Sequence, residues 1–199
     1  FFKYVPKTLL PVYRDVVVPL ANVLTPNAFE LGELVGFTIF NEKDCIRGMD
    51  AIHRMGVETV VVTSGVEESQ TPDTLCCYAS KKDASEITRR YRFRFPRIPG
   101  QFVGTGDVFD SLLIAWLDHC KNDVCDAVGH VLGSMQGLLR KTSHYAQDLN
   151  KQTIFEVLMI KYENLTVLTD YIRVRIRTPL NHSDQMGLAR VALPWRAIF

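Results

Sequence analysis

The chain has 199 residues, 47% of them hydrophobic, with 23 Lys and Arg against 22 Asp and Glu. That is enough for one domain with a substantial core, and a formal net charge of +1 with a pI near 7.8 gives no global electrostatic case for a nucleic acid or an anionic membrane partner. No apolar run reaches the length of a membrane span and the opening Phe1, Phe2, Lys3 is unlike a signal peptide, so a soluble, cytoplasmic protein is expected, with upstream sequence missing because no Met begins it.

In chain order, Leu9, Leu10, Tyr13, Val16 and Val17 recur at helical spacing and predict a helix over 6–18, with Pro6 in its first turn and Pro19 ending it. A short strand at 23–25 follows, broken by Pro26 and Asn27. A second helix over 28–35 should stop at Gly36. Asn41 caps a third helix whose buried stripe is Cys45, Ile46, Met49, Ile52 and Met55, with Gly56 in the stopping position. The run 59–63 has no polar alternation, which suits a strand covered on both faces, the habit of parallel sheets. Strand, helix, strand makes a layered α/β domain the expected fold, and ligands of such domains bind where the strands end. Thr25, Pro26, Asn27, Thr63 and Ser64 occupy those ends.

Residues 67–74 read as a polar loop, then 75–79 and 87–95 as a pair of strands parted by Lys81, Lys82 and Asp83. In the second strand Arg90, Arg92 and Arg94 share one face and Tyr91, Phe93 and Phe95 the other. Such interleaving fits a half-buried strand with a solvated face, a platform for nucleic acid, or an arginine leaning over a nucleotide. Gly104, Thr105, Gly106 and Asp107 then form a sharp turn before the apolar run 108–117, which predicts a helix to about Cys120. The turn would leave backbone N–H groups open at a helix N-terminus, where phosphate binds, with the Asp107 carboxylate placed to take a proton from a hydroxyl. It would serve equally as a plain turn with a favoured first-turn acid. A long amphipathic helix over 123–148 and a terminal strand over 153–162 complete the periodic part. Residues 166–199 form an irregular tail, expected to be poorly ordered or an addition to the core.

Cys45, Cys76, Cys77, Cys120 and Cys125 are odd in number and lack zinc-site spacing, so free thiols are expected. His53, His119, His130, His144 and His182 have no evident nucleophile or carboxylate partner in sequence and read as surface or packing residues.

Three motifs in order carry a family resemblance: Asn22-Val-Leu-Thr-Pro-Asn-Ala-Phe-Glu30, Val60-Val-Val-Thr-Ser64, and Phe102-Val-Gly-Thr-Gly-Asp-Val-Phe109, supported by Tyr4-Val-Pro6 and Leu9-Leu-Pro-Val-Tyr-Arg14. Together they resemble the pyridoxal kinase family of the ribokinase-like superfamily, over about residues 4–148 and more loosely to 164. The resemblance implies an incomplete ribokinase-like α/β/α sandwich, with residues 1–165 as a partial kinase domain lacking the N-terminal strands. It implies transfer of the ATP γ-phosphoryl group to the 5′-hydroxyl of pyridoxal, pyridoxine or pyridoxamine. Asp107 matches the catalytic base and Gly104, Thr105 and Gly106 the anion hole, Gly106 and Asp107 also meeting the substrate. Asn27, Thr63, Ser64, Ile98 and Thr105 match nucleotide contacts, although Pro99 and Gly100 depart from the family beside the adenine pocket. Glu30 matches a Mg²⁺ contact through water, and Thr25 and Thr63 lie near the family's monovalent-cation site for potassium or sodium. The alternative for Asn27 is a plain helix cap. A homodimer is implied for the full-length protein.

Family members carry an N-terminal region with the opening strands, pyridoxal-gripping residues and an acidic stretch, none of which precedes Phe1. An exposed sheet edge, weak nucleotide binding and slow or absent turnover are therefore expected of these 199 residues. The alternatives are a noncatalytic interaction protein derived from such a kinase, or a related hydroxymethylpyrimidine-type kinase. No P-loop is present.

Overall fold

A computed structural model describes residues 7–148 and 191–192. Residues 7–20 wind continuously but change pitch: a 3₁₀ turn at Lys7–Leu9, one α turn (α1, Leu10–Val12), a π segment at Tyr13–Val17 and a 3₁₀ turn at Val18–Leu20. The expected helix is there, yet Pro19 sits inside the winding instead of ending it. Proline has no N–H to donate, and in a straight α-helix its ring would meet the carbonyl four residues back; the wider turn, closed by Val18 N–H to the Tyr13 carbonyl, removes that conflict. The change of pitch also rotates the buried face. Tyr13 and Val18 are buried with Leu10 and Val17 packed beside them, whereas Leu9 and Val16, expected in the stripe, are 43% and 56% exposed.

The remaining elements are β1 (Val23–Leu24), α2 (Ala28–Val35), α3 (Glu42–Arg54), β2 (Thr59–Val62), β3 (Thr74–Lys82), β4 (Thr88–Pro96), α4 (Thr105–His119), α5 (Val124–Asp148) and β5 (Val191–Ala192). Among the described residues the strand order is β4-β3-β2-β1-β5. β1 runs parallel to β2 and β5, while β2 to β3 and β3 to β4 are antiparallel, so the sheet is mixed where the apolar run of β2 suggested a parallel one. Burial on both faces requires only that both be covered; it does not fix the direction of the next strand. The hairpin strands are longer than expected. β3 continues through Lys81 and Lys82, and the reversal falls at 83–87, where Asp83 Oδ1 accepts from the Ser85 and Ile87 amides.

Alternate residues of each strand feed two apolar layers, as the pleat demands. Leu24, Val60, Val62, Cys76 and Tyr78 join residues 10–18, α2 and α3 on one face. Val23, Val61, Cys77 and Ala79 meet Phe109, Leu112, Leu113, Val128 and Val131 of α4 and α5 on the other. Val60, Val61 and Val62 are fully buried, each worth roughly 1.5–3 kcal/mol. The result is an α/β/α sandwich. The strand over 153–162 lies outside the described residues, as does most of the tail. Of that tail, Val191–Ala192 lies along the outer edge of β1, the edge expected to be bare.

Tyr91, Phe93 and Phe95 of β4 pack toward α5, and its arginine face looks the other way: Arg90 pairs with Asp50 and Arg92 with Glu42, both on α3 at 2.6 Å. This is the half-buried strand with a solvated face. His53 is buried and fastens α3 to the sheet, one ring nitrogen 2.7 Å from the Val57 carbonyl and the other 2.7 Å from Ser80 Oγ. The carbonyl can only accept, so Nδ1 carries the proton and Nε2 accepts from the serine hydroxyl. All five cysteines are free thiols. No helix among the described residues is long and apolar enough to cross a membrane.

Candidate active site

The site is assembled from three connections. After β1 the chain turns through Thr25, Pro26 and Asn27 into α2; after β2 it turns through Thr63 and Ser64. Two backbone bonds lock these turns together, Ala28 N–H to the Ser64 carbonyl at 2.9 Å and Thr63 N–H to the Pro26 carbonyl at 3.0 Å. Their closeness depends on Gly65, whose φ is +93° and where a Cβ would lie 3.2 Å from that of Ala28. The third connection leads into α4 through Gly104. Its φ is +78°, which an L side chain adopts only at a cost of roughly 1–2 kcal/mol, although nothing stands within 4 Å of an added Cβ.

A cavity of about 350 Å³ opens between these connections, a size suited to a small-molecule ligand. Thr25, Asn27, Glu30, Thr63, Ser64, Ile98, Thr105 and Gly106 line it, so eight of the ten residues singled out from the sequence meet in one place. Gly104 and Asp107 do not line it. Gly104 is the residue preceding α4, and Asp107 stands exposed in the first turn of that helix, beside the cavity.

Asn27 and Glu30 form a capping box: Asn27 Oδ1 accepts from the Glu30 amide and Glu30 Oε2 from the Asn27 amide, each at 2.9 Å. The cap reading of Asn27 is thus correct and does not compete with the cavity, because the box fixes both side chains on its wall. The N-termini of α3 and α5 are capped in turn by Asn41 and Asp123. α4 differs. No side chain caps it, and its first intrahelical bond, Val108 N–H to the Gly104 carbonyl, leaves the amides of Thr105, Gly106 and Asp107 at an end of partial positive charge.

The sequence reading missed Asp110. Buried at 1% exposure, it lines the cavity one helical turn beyond Asp107. Burial pushes its carboxyl up to about 7; the Thr25 hydroxyl pulls the other way, and Asp107 and Glu30 add to the rise. Thr25 Oγ1 and Asp110 Oδ2 both lack a hydrogen bond of good geometry among the described residues. The available signal was an acid in the otherwise apolar run after the turn, which the helical pattern masked. Arg97, Phe102 and Gln136 also line the cavity without having been singled out, because they lie in an irregular loop and on the polar side of α5. Tyr13 stands near, its phenol raised to about 12 by burial first and then by Glu30 and Asp110. The donors around the floor are oxygens, a set that fits hard cations such as Mg²⁺, sodium or potassium.

Fold and site together define a layered α/β domain with a phosphate-compatible helix end at the carboxyl edge of its parallel strands. The profile of the phosphomethylpyrimidine kinase family matches residues 3–151, and the chain belongs to that family. A putative pyridoxal kinase of Caenorhabditis elegans is 57% identical over 161 residues, covering 79% of this chain and 49% of that protein. Pyridoxal kinase of Sus scrofa is 38% identical over 149 residues, covering 72% and 46%. Among solved structures, pyridoxal kinase from Leishmania donovani in complex with ADP and pyridoxamine is similar at a TM-score of 0.64 and 29% identity over 72% of this chain and 46% of that one. Pyridoxal kinase from Trypanosoma brucei gives 0.62 and 32% over 71% and 49%. The chain spans about half the length of the curated relatives it matches.

Proposed function

We propose that this chain is the nucleotide-binding and catalytic portion of a pyridoxal kinase, which transfers the γ-phosphoryl group of ATP to the 5′-hydroxyl of pyridoxal and its related vitamers. One observation carries the reading: Asn27, Thr63, Ser64, Thr105 and Gly106, drawn from three separate connections, face one cavity beside an uncapped helix N-terminus. The amides at the start of α4 would hold the transferred phosphate and meet the charge that builds on its oxygens. Asp107 would take the hydroxyl proton as the alcohol oxygen attacks phosphorus and the bond to the departing ADP breaks, a contribution of about 10²–10⁴-fold. Thr63 and Ser64, with Ile98 at the adenine end, would position the nucleotide, and Asn27 with Glu30 would hold the waters of a Mg²⁺ ion. Bound there, the ion would neutralise phosphate charge. The catalytic unit is residues 1–165, with 166–199 an appendage, in a cytoplasmic setting that suits five free thiols.

ATP binding by the purified chain in the presence of Mg²⁺ is the first test, and a saturable signal is expected. Complete absence of binding would overturn the reading. Formation of pyridoxal phosphate from pyridoxal and ATP is the second test. The family profile also keeps a hydroxymethylpyrimidine acceptor in view. Supplying each alcohol separately with labelled ATP decides between them, and preferential labelling of the pyrimidine would replace pyridoxal as the substrate.

A further inference from the structure

One wall of the cavity is irregular backbone. Residues 97–103 lead from β4 toward α4 without regular structure, and Arg97, Ile98, Pro99, Gly100 and Phe102 among them line the cavity. Such a stretch offers a ligand a defined surface only where its polar groups are tied down. Its first residue is held from the side of β3, the Arg97 amide donating to the Asp73 carbonyl at 2.8 Å and its guanidinium to Gln70 Oε1 at 3.2 Å. The other ties come from α5. Gln136 Nε2 donates to the Pro96 carbonyl at 2.9 Å, and Ser143 Oγ, about two turns further along the helix, donates to the Pro99 carbonyl at 3.4 Å.

The Gln136 amide has one orientation. Its Nε2 meets a carbonyl, which only accepts, and its Oε1 takes a hydrogen bond at 3.3 Å from the Arg140 guanidinium, which only donates. Turning the amide over would set acceptor against acceptor and donor against donor. The position therefore calls for a side chain that carries both, which solvation of a helix surface does not require. Gln136 also lines the cavity, where the other α5 residues on that wall, Leu132, Met135 and Leu139, are apolar and adjoin Leu75 and Phe95 of the β3–β4 hairpin. A flat ring system suits this apolar wall, as phosphates suit the α4 end. We infer that Gln136 is a positioning residue for the nucleotide base: by holding the Pro96 carbonyl it sets the stance of the 97–103 loop, against which the base lies. The identity of the ligand rests on the kinase reading; the fastening of the loop does not.

The test variant is Gln136→Met, similar in length and without the amide. Calorimetry on the 199-residue chain with Mg²⁺ compares ATP with inorganic tripolyphosphate, which has phosphates and no base. Gln136→Met should weaken ATP about five- to tenfold, the worth of one hydrogen bond, and leave tripolyphosphate within about twofold. ATP affinity equal to the parent's, or both ligands weakened by the same factor, would overturn the inference. Hydrogen exchange without nucleotide gives a second readout. The amides of 97–103 should exchange faster in Gln136→Met, and also in Gln136→Glu, which keeps the acceptor for Arg140 and removes only the donor, while those of α2 and α3 keep the parent's rates. Parent-like exchange of the loop in both variants would equally overturn the inference. A parent chain that binds neither ligand would count against the kinase reading, and exchange would still decide whether Gln136 fastens the loop.

Discussion

Replacing Asp107 with Asn keeps the size of the side chain and removes its capacity to accept a proton. Formation of pyridoxal phosphate should fall at least about a hundredfold while ATP affinity stays within a small factor, a split that assays of turnover and binding on the same preparation would register. Gly104→Ala acts through the backbone. With open space around the added methyl and a φ of +78°, the expected loss is about 1 kcal/mol in chemical denaturation, with weaker ATP binding as the helix end shifts. His53 makes a pH prediction. Burial lowers its pKa first, with Arg90 and Lys82 acting in the same sense and the Val57 carbonyl and Asp50 opposing. The folded state therefore holds it neutral, whereas the unfolded chain takes up a proton below about 6.5, so its contribution is full above that pH and is lost as the pH falls below it. Asp110 acts oppositely, because its raised folded pKa makes stability fall as pH rises toward 7. The readout is accordingly the difference in urea midpoint between the parent and His53→Gln, which should shrink from pH 7.5 to 5.5. Legibility at this scale followed side-chain chemistry. Asp107 was readable beside its glycines, but Asp110 was not, because a polar residue inside an apolar helical run shows its burial only once the helix is packed.

At the level of elements, the two Asn capping boxes offer a controlled comparison. Asn41→Ala should cost about 1 kcal/mol through loss of the α3 cap and leave ligand binding alone. Asn27→Ala should cost a similar amount and also weaken ATP binding, since the α2 box forms part of the cavity wall. Equal binding by the two variants would remove Asn27 from the nucleotide site. The helices α2 to α5 were legible because caps, Gly36 and Gly56 punctuate apolar stripes of period 3.6. The first winding was less so. A pattern of single residues does not reveal that Pro19 forces a change of pitch at Tyr13–Val17, which turns Leu9 and Val16 outward. β5 is two residues long, too short for any alternation to be seen.

Across the molecule, β2 is covered on both faces, and neighbouring valines of that strand report on different layers. Val61→Ala should thin the α4 and α5 layer and Val62→Ala the α2 and α3 layer, each costing roughly 1–3 kcal/mol in urea unfolding. A sheet with one wet face would tolerate one of the two changes. The unbroken apolar run 59–62 announced that double coverage, whereas the mixed strand directions depend on where the β3–β4 hairpin folds back, which no residue of β2 encodes. The same build leaves α4 beginning without a side-chain partner for its leading amides. In deuterated buffer the N–H groups of Thr105, Gly106 and Asp107 should therefore exchange faster than those opening α2 and α3, and should slow once a phosphate-bearing molecule sits against them. Mass spectrometry of the peptide around residue 105 would then locate the phosphate directly, with no turnover needed.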